Sequence, residues 1–290
     1  MLHAHAAFAF LTLIPYTPKM KLTIVTINYN NREGLERTLR SVTAQLTADT
    51  EYVVIDGGST DGSVELIQQY AKHIAYWVSE PDKGIYNAMN KAIKVAKGEY
   101  INFMNSGDTF YSAEVLPRVV PLLNGKDFYI GDEKREVNGK TKIITAPNRI
   151  HFASIAHRAM KHQASFIRTQ LLKNRPYSEK YKIVSDWEQM FYEFVVNNAS
   201  YEHLPFIVSE FDMSGVSSNI DNYCLQQKEG HNIRATYLSP LICDYIEGEG
   251  NKYQNKIIQA LGYDKPLKRD LKVLRNALKM LVADLFKKRG

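Results

Sequence analysis

Residues 52–62 read Tyr-Val-Val-Ile-Asp-Gly-Gly-Ser-Thr-Asp-Gly, and this stretch decides the fold. Its first four residues are apolar and strand-forming, which is typical of a short buried strand. Three glycines and two aspartates then make a loop rich in turn residues, after which a helix is predicted from about Ser63 to Tyr70. The order of strand, loop and helix is that of a βαβ unit.

The same alternation continues on both sides of this stretch. Strands are predicted at Leu22–Ile27, Ile74–Val78 and Tyr100–Met104, and helices at Glu33–Gln45 and Ile85–Ala96. The pattern predicts an α/β protein with a mostly parallel central sheet and helices on both of its faces. Beyond Phe110 the predicted elements are a helix near 113–123, short strands near Phe128 and Ile143, a helix over 186–196 and a strand near 206–210.

Four loops follow these first strands, beginning at Asn28, Asp56, Glu80 and Asn105. Ligands of open α/β sheets bind outside the carboxyl ends of the strands, so the four loops are predicted to converge on one site. No Gly-x-Gly-x-x-Gly fingerprint follows the first strand, and no Walker phosphate loop is present. A nucleotide would therefore have to be held in another way.

The net charge of +6 comes from the end of the chain. Residues 265–290 carry nine Lys or Arg and two acidic residues, which leaves 28 basic and 29 acidic residues in the first 264. A nucleic-acid groove would spread basic residues over the body, so no nucleic-acid partner is expected. The only two cysteines, Cys224 and Cys243, lack metal-ligand spacing and favour a reducing, cytoplasmic compartment.

Residues 1–19 are predicted to be an N-terminal extension, with disorder as one interpretation. The apolar run from Ala6 to Ile14 resembles the middle of a signal peptide, but two histidines precede it and two prolines follow it. No stretch reaches the roughly 18 to 20 apolar residues of a membrane-spanning helix. The chain is expected to be soluble, or to lie on a membrane without crossing it.

Three loops carry candidate binding groups. Asp56 could accept hydrogen bonds from a base or ribose, or could serve only turn geometry. The segment 80–90 could offer an anion site at a helix start, although Asp82 could equally be a helix N-cap and Lys83 a solvated side chain. Asp108, in Asn105-Ser106-Gly107-Asp108, could coordinate Mg²⁺ or Mn²⁺ bridging two phosphates, whereas a plain turn also explains this tetrapeptide.

Taken together, residues 23–112 resemble the family-two inverting glycosyltransferases of the GT-A fold, especially bacterial enzymes of colanic-acid-type polysaccharide biosynthesis. The matching segments are Val25–Asn30, Asp56–Gly62, Asp82–Asn90 and Asn105–Asp108. The family's metal motif is Asp-x-Asp or close to it. Asn105 replaces the first carboxylate here, so Asp108 is the single predicted metal ligand, with Mg²⁺ or Mn²⁺ as cofactor.

The resemblance also implies the roles of individual residues. Asp186, in Ser185-Asp186-Trp187-Glu188, stands where the family carries its catalytic base; an N-cap of the following helix is the alternative. His162 is as readily a buried structural histidine as a substrate contact. The predicted donor-binding residues are Thr26, Asn28, Tyr29, Asn30, Asp56, Ser59, Asp61, Asp82, Lys83, Gly84, Tyr86, Asn90, Asn105, Ser106, Gly107, His162 and Gln163.

The predicted function is inverting transfer of a hexosyl group from a nucleotide-sugar donor to a hydroxyl of a saccharide acceptor, which is lipid-linked, in surface polysaccharide biosynthesis. A nucleotidyltransferase of similar layout and a non-catalytic carbohydrate-binding or scaffold protein are the alternatives. Residues 20–264 are predicted to form one GT-A catalytic domain, with a nucleotide-binding half (20–112) and an acceptor half (113–264).

The last segment, 265–290, is predicted to be a basic amphipathic helix. Its leucines recur three or four residues apart, and lysines and arginines fill the other positions. Such a helix can lie in the interface of an anionic membrane, which would make the enzyme peripheral on the inner face of the cytoplasmic membrane. Packing of the leucines on the domain or on a partner is the alternative.

Overall fold

A computed structural model describes residues 20–137, 139–157, 160–213, 215 and 220–247. The chain divides into two compact units, Met1–Glu229 and Gly230–Gly290. The predicted extension 1–19, the predicted helix 265–290 and the domain boundary at 264 all lie outside the described residues.

Within the described residues, nine strands form one mixed sheet, in which the strand order is β3-β2-β1-β4-β8-β6-β9-β5, with β7 paired to β6. The strands are β1 (Leu22–Asn28), β2 (Thr50–Asp56), β3 (Tyr76–Ser79), β4 (Tyr100–Phe103), β5 (Thr109–Phe110), β6 (Phe128–Val137), β7 (Lys140–Ile144), β8 (Ser165–Arg168) and β9 (Tyr201–Phe211). The helices are α1 (Arg32–Thr43), α2 (Ser63–Tyr70), α3 (Ile85–Val95), α4 (Val115–Val119), α5 (Phe152–Ile155), α6 (Thr169–Asn174), α7 (Ser185–Val195), α8 (Tyr223–Tyr237) and α9 (Pro240–Glu247).

The first four strands are parallel to one another. β1 lies between β2 and β4, and β2 pairs on its other side with β3. Every residue of β1 and β2 is buried, because helices cover both faces of this part of the sheet. The predicted strands and helices between residues 22 and 104 are all present, with ends that differ by at most two residues.

Different helices cover the two faces of the parallel strands. Leu22 and Ile24 of β1 belong to the same apolar cluster as Leu35 and Leu39 of α1. α3 lies against β1 and β2 and buries Met89 and its neighbours. Alternate residues of a strand point to opposite faces, so a continuous apolar strand is expected where both faces are covered.

The second half of the chain extends the same sheet with reversed strands. β8 is antiparallel to β4 and to β6, whereas β6 and β9 are parallel. The strand predicted near Phe128 is ten residues long, and the one predicted near 206–210 begins at Tyr201. β8 was not predicted: its four residues, Ser165–Arg168, are too few to show a period.

None of the helices that the structure describes is both long enough and apolar enough to cross a membrane.

Candidate active site

The loops after β1, β2 and β4 meet at one edge of the sheet. The Asn28 side chain donates to Asp56 Oδ1 at 2.8 Å, and the Asn30 backbone N–H donates to Ser59 Oγ at 2.8 Å. Asn31 donates to the backbone carbonyl of Ser106 at 3.3 Å. The register explains the meeting, because Asn28 and Asp56 are paired residues at the carboxyl ends of adjacent parallel strands.

Asp56 is the centre of this edge. Its carboxylate accepts five hydrogen bonds: from Asn28 Nδ2 and Ser59 Oγ at Oδ1, and from Gly58 N, Ser59 N and Ser79 Oγ at Oδ2, all between 2.6 and 3.1 Å. Burial alone would raise the pKa of Asp56, but the bonds from Ser59, Ser79 and Asn28 outweigh it, and the pKa lies below its usual value. The carboxylate is therefore ionised at neutral pH.

This set of donors also limits what Asp56 can do for a ligand. A carboxylate offers about four lone-pair sites, and the five protein donors already occupy them. A nucleotide N–H could bind Asp56 only by displacing one of these donors. The neighbouring Asn28 Oδ1, by contrast, is buried without a hydrogen-bond partner. A direct contact of Asp56 with the nucleotide stays a prediction, while its role in shaping the loop is plain.

The rest of the first two loops is more exposed. The Tyr29 side chain is 66% exposed beside Gly57, where its ring is available for stacking. Asn30 has a φ of 47° and accepts the backbone N–H of Thr60 through Oδ1. Asp61 accepts from Arg32 and Ser63 and so ties the starts of α1 and α2 together. Asp61 thus supports the loops.

Asp82 lies against the Asp56 loop. One of its oxygens accepts the Gly84 backbone N–H at 2.8 Å, and the other would be 2.7 Å from a Cβ placed on Gly57. α3 begins after Gly84 without a side-chain cap, so the alternative reading of Asp82 as its N-cap is wrong. Lys83 is exposed, so its ammonium group is accessible to an anion.

Tyr86 and Asn90, predicted to bind the donor, instead contact the second half of the chain. Asn90 Nδ2 donates to the Tyr177 carbonyl and to Glu179 Oε1, and its Oδ1 accepts the Tyr177 backbone N–H. The Tyr86 hydroxyl lies 2.7 Å from the Ile183 carbonyl oxygen. Both residues are less than 10% exposed. They anchor residues 177–183 to α3.

Two other predicted donor ligands are also buried in protein contacts. The Thr26 side chain is fully buried, and its hydroxyl bonds to Tyr52 Oη at 2.8 Å and to the Met104 carbonyl at 2.7 Å. Thr26 therefore joins β1 to β2 and to the residue that follows β4, and its contact with a donor stays a prediction. Gln163 is 2% exposed and lies against the carboxylate of Asp108.

The loop of residues 105–108 is held by Thr38 of α1. The Thr38 hydroxyl donates to the Asp108 carbonyl at 2.7 Å and accepts the Gly107 backbone N–H at 3.0 Å. The Ser106 hydroxyl donates to the Asn31 carbonyl. The loop is thus fixed to α1 and to its N-cap residue Asn31 by hydrogen bonds between hydroxyl and backbone groups.

Asp108 points inward from this loop. It is 4% exposed, and its Oδ1 accepts the backbone N–H of Asp212 at 2.9 Å. Burial raises the pKa of Asp108 to about 7, although the Asp212 N–H, His162 and Gln163 act in the opposite direction. The Asp108 carboxyl therefore titrates near neutral pH in the absence of a cation.

The loop of residues 105–108 offers oxygen atoms that could bind the predicted Mg²⁺ or Mn²⁺. Among the residues that the structure describes, no three His, Cys, Asp or Glu side chains form a metal cluster. Two oxygens suit a hard cation: the Asp108 carboxylate, and Asn105 Oδ1, which is buried without a partner. Mg²⁺ and Mn²⁺ commonly use one or two carboxylates together with substrate phosphates and water. These residues fit a cation that binds with a diphosphate.

We expect Gly107→Ala to destabilise the loop. Gly107 has a φ of 107°, and a Cβ there would lie 2.6 Å from Asp212 Oδ2. The strained backbone and the contact together should lower the free energy of unfolding by about 2–4 kcal/mol. Gly125→Ala is the control, since Gly125 has a φ of 89° with open space around it. If denaturant melts show that both variants lose the same free energy of unfolding, the contact with Asp212 does not contribute to the loss.

The base-candidate Asp186 lies beside this loop. Its Oδ1 accepts from the Tyr86 hydroxyl at 2.8 Å, and its Oδ2 is 3.4 Å from His162 Nδ1. The other ring nitrogen of His162 lies 3.2 Å from Asn105 Nδ2. α7 begins at Ser185 after an uncapped Val184, so the alternative reading of Asp186 as an N-cap is wrong.

Asp186 and His162 form an interacting pair. Burial opposes the charge on each of them, yet their mutual attraction and hydrogen bonding outweigh it. The pKa of His162 is consequently raised and that of Asp186 lowered, with the Tyr86 hydroxyl adding to the latter shift. The His162 side chain is 18% exposed and that of Asp186 is 14% exposed, so the pair borders the site without being freely solvated.

Three residues that build the site were not singled out from the sequence: Thr38, Ser79 and Asp212, the last of which lies in a segment, 211–218, that is predicted to close over the donor or to form a surface turn. Thr38 lies in the middle of a helix, where nothing in the sequence distinguishes it. Ser79 and Asp212 end or follow strands β3 and β9, which is the one signal that could have found them. The Asp212 carboxylate also pairs with Arg37 of α1 at 2.7 Å.

A mixed α/β sheet of this kind, with polar loops at the carboxyl ends of its parallel strands, is the arrangement of the GT-A fold. Residues 23–212 match the family model of Glycosyl transferase family 2. The chain belongs to that family.

Individual proteins resemble the chain over most of its length. An uncharacterized glycosyltransferase of Mycobacterium tuberculosis is 32% identical over 68% of this chain and 77% of that protein. A PGL/p-HBAD biosynthesis glycosyltransferase of Mycobacterium bovis is 29% identical over 59% and 68% of the two chains. A mannosyltransferase of Pyrobaculum calidifontis, solved with GDP-Man and Mn²⁺, has a TM-score of 0.58 at 15% identity and covers 91% of this chain and 81% of its own.

Proposed function

We propose that this glycosyltransferase transfers a hexosyl group, with inversion, from a nucleotide-sugar donor to a hydroxyl of a saccharide acceptor. The observation that carries the proposal is the position of Asp186. Its ionised carboxylate is joined through His162 to Asn105, in the loop at the end of β4. One carboxylate beside the donor loops is what single-step inversion requires, because a base must act on the face opposite the leaving group.

The reaction follows from these positions. Asp186 removes the proton of the acceptor hydroxyl, and the freed electron pair forms a bond from that oxygen to the anomeric carbon of the donor. The bond from the anomeric carbon to the phosphate oxygen breaks at the same time, and its electron pair leaves with the nucleoside diphosphate. The proton remains on Asp186 until solvent takes it.

The donor side of the site supports a nucleoside diphosphate. The exposed Tyr29 ring offers a stacking surface for the base. Lys83 and the backbone N–H groups at the start of α3 can meet phosphate oxygens. The Asp108 carboxylate, with Asn105 Oδ1, would hold Mg²⁺ or Mn²⁺, which would neutralise the charge that develops on the diphosphate.

Thermal denaturation tests the donor and the cation together. We expect one nucleotide sugar of a UDP, GDP and dTDP panel to raise the melting temperature, with a further rise when Mn²⁺ is added at pH 8, where Asp108 is ionised. Asp108→Asn should keep the first rise and lose the second. Asp61→Asn, which changes a carboxylate of the same loops, should keep both. A second rise of the same size in all three proteins would exclude Asp108 as the cation ligand.

We further propose a lipid-linked saccharide as acceptor, in the biosynthesis of a surface polysaccharide or glycolipid at the inner face of the cytoplasmic membrane. The relative from Mycobacterium bovis, named for PGL/p-HBAD biosynthesis, supports this acceptor class. The leucine and lysine pattern of residues 265–290 supports membrane contact.

The tail can be tested on vesicles. We expect the full chain to sediment with vesicles of anionic lipid and to dissociate in high salt, because about 1 kcal/mol of attraction is available per basic residue at such a surface. A chain lacking residues 265–290 should stay in the supernatant, and zwitterionic vesicles should bind neither protein. If the shortened chain sediments as completely as the full one, the tail is not the membrane contact.

A further inference from the structure

Tyr86 contributes a hydroxyl from the donor half of the chain to the base-candidate in the acceptor half. It lies in the first turn of α3, is 4% exposed, and stands one hundred residues before Asp186. Its hydroxyl oxygen is 2.8 Å from Asp186 Oδ1 and 2.7 Å from the Ile183 carbonyl oxygen. The position is fixed by protein contacts on several sides, including the ring of Tyr177, whose centroid is 5.6 Å away.

A phenol has one proton, so the Tyr86 hydroxyl cannot donate fully to both acceptors at once. A carboxylate and a carbonyl at nearly equal distance therefore compete for it. The ionised Asp186 is the stronger acceptor, because hydrogen bonds to charged groups are the stronger ones. The Ile183 carbonyl oxygen is the second acceptor for the same proton.

We propose that Tyr86 is a positioning residue that holds Asp186 in place both before and after Asp186 takes a proton. The inference rests on the proposed function, in which Asp186 is the base. While Asp186 is ionised, the phenol donates to Oδ1. When Asp186 carries the proton at Oδ1, the acid donates to the Tyr86 oxygen, and the phenolic proton turns to the Ile183 carbonyl.

This exchange moves hydrogen bonds and leaves every covalent bond of the phenol intact. Burial and the neighbouring Asp186 raise the pKa of Tyr86 well above its usual value, so the phenol does not ionise. A donor alone would hold only one state of Asp186: an N–H at His162 Nδ1, 3.4 Å from Oδ2, can donate to the carboxylate but gains little from a protonated acid. A hydroxyl with a spare acceptor can serve both states.

Other elements keep this arrangement rigid. Asn90 lies one turn after Tyr86 on α3. Its side chain donates to the Tyr177 carbonyl and accepts the Tyr177 backbone N–H. The Glu229 carboxylate accepts the backbone N–H groups of Lys182 and Ile183 at 2.7 and 3.1 Å. The Ile183 carbonyl is consequently fixed relative to α3, and its distance to Tyr86 is set by the fold.

The test compares Tyr86→Phe with Tyr100→Phe, which removes a fully buried phenol whose hydroxyl donates to the Lys126 carbonyl at 3.0 Å, at the start of β4 and away from Asp186. We expect Tyr86→Phe to lower kcat about 10- to 100-fold, since small misplacement of a reacting group has effects of this size. The KM for the donor should stay within about twofold, because the donor contacts are elsewhere. Tyr100→Phe should have kcat within about twofold of the wild type.

The pH profile separates positioning from a general loss of structure. The titratable groups that face Asp186 are His162, Tyr86 and Tyr177, while Asp108 and Glu133 act on His162. Tyr86→Phe removes a donor to the ionised form, so the acid limb of kcat should move to higher pH by about half a unit to one unit. Replacing Tyr86 by 3-fluorotyrosine, a stronger donor that keeps the ring, should move it to lower pH. This second variant serves if Tyr86→Phe does not fold.

Three outcomes contradict the inference or the proposed function on which it rests. If Asp186→Asn is inactive while Tyr86→Phe keeps wild-type kcat and acid limb, the role of Tyr86 is wrong and the proposed function stands. If Asp186→Asn remains active, Asp186 is not the base, and both the proposed function and the role of Tyr86 are wrong. An unshifted acid limb with 3-fluorotyrosine also counts against Tyr86.

Discussion

Asp186→Asn should lower kcat by about 10³-fold, because general-base catalysis contributes roughly 10² to 10⁴ in rate. The amide has the size of the carboxylate and can still accept from Tyr86, but it cannot take a proton from the acceptor. The pKa of Asp186 lies below its usual value, so the wild-type carboxylate is ready to act at neutral pH. Initial rates of nucleoside diphosphate release in the presence of acceptor would measure the loss.

A suitable control is Asp127→Asn. Asp127 is also a hydrogen-bonded carboxylate with a lowered pKa, but its partners are Ser200 and Arg168, beside the start of β4 and away from the donor loops. It should keep kcat within about twofold. Donor binding should survive in both variants, as shown by an unchanged melting shift. Wild-type rates for Asp186→Asn would mean that another group is the base.

Asp56→Ala should cost both stability and donor binding. Five donors lose their acceptor, and each buried donor left unsatisfied costs about 1–3 kcal/mol, although relaxation and water will reduce the sum. We expect the free energy of unfolding to fall by about 3–5 kcal/mol. The Kd of the nucleotide sugar should rise at least about 100-fold, because the loops after β1 and β2 lose their common centre.

The matched variant is Asp61→Ala, in the same loop. Asp61 accepts only from Arg32 and Ser63 and is exposed, so its loss should cost about 1 kcal/mol. Urea melts and calorimetric titration of the nucleotide sugar would measure both effects. If Asp56→Ala binds donor as well as Asp61→Ala does, the Asp56 network is not part of the donor site.

The parallel half of the fold could be predicted from the sequence because its signals are local. Each strand is a mostly apolar run, and the first three are each followed by a loop with turn residues and a helix with apolar residues on one face. The edge at which ligands bind follows from the strand direction alone. That is why Asn28, Asp56 and Asn105 could be grouped correctly before any distance was known.

The reversed half and several side-chain roles could not be predicted in this way. Asn90 and Tyr86 belong to a motif beside the donor loops, but their partners lie about ninety to one hundred residues later in the chain. Nothing local in a sequence encodes such a contact. The contacts of Thr26 could not be predicted for a different reason: a polar residue in a buried strand can satisfy its hydroxyl on adjacent strands as readily as on a ligand.

The most direct test of the central claim is the configuration of the sugar at the moment it is released. With water in place of the acceptor, the nucleotide sugar that gives the largest melting shift would be followed by proton NMR of the anomeric signal before mutarotation. An α-linked donor should yield the β-sugar first, and Asp186→Asn should yield neither anomer at a measurable rate. First appearance of the α-sugar would contradict inversion by a single base at Asp186.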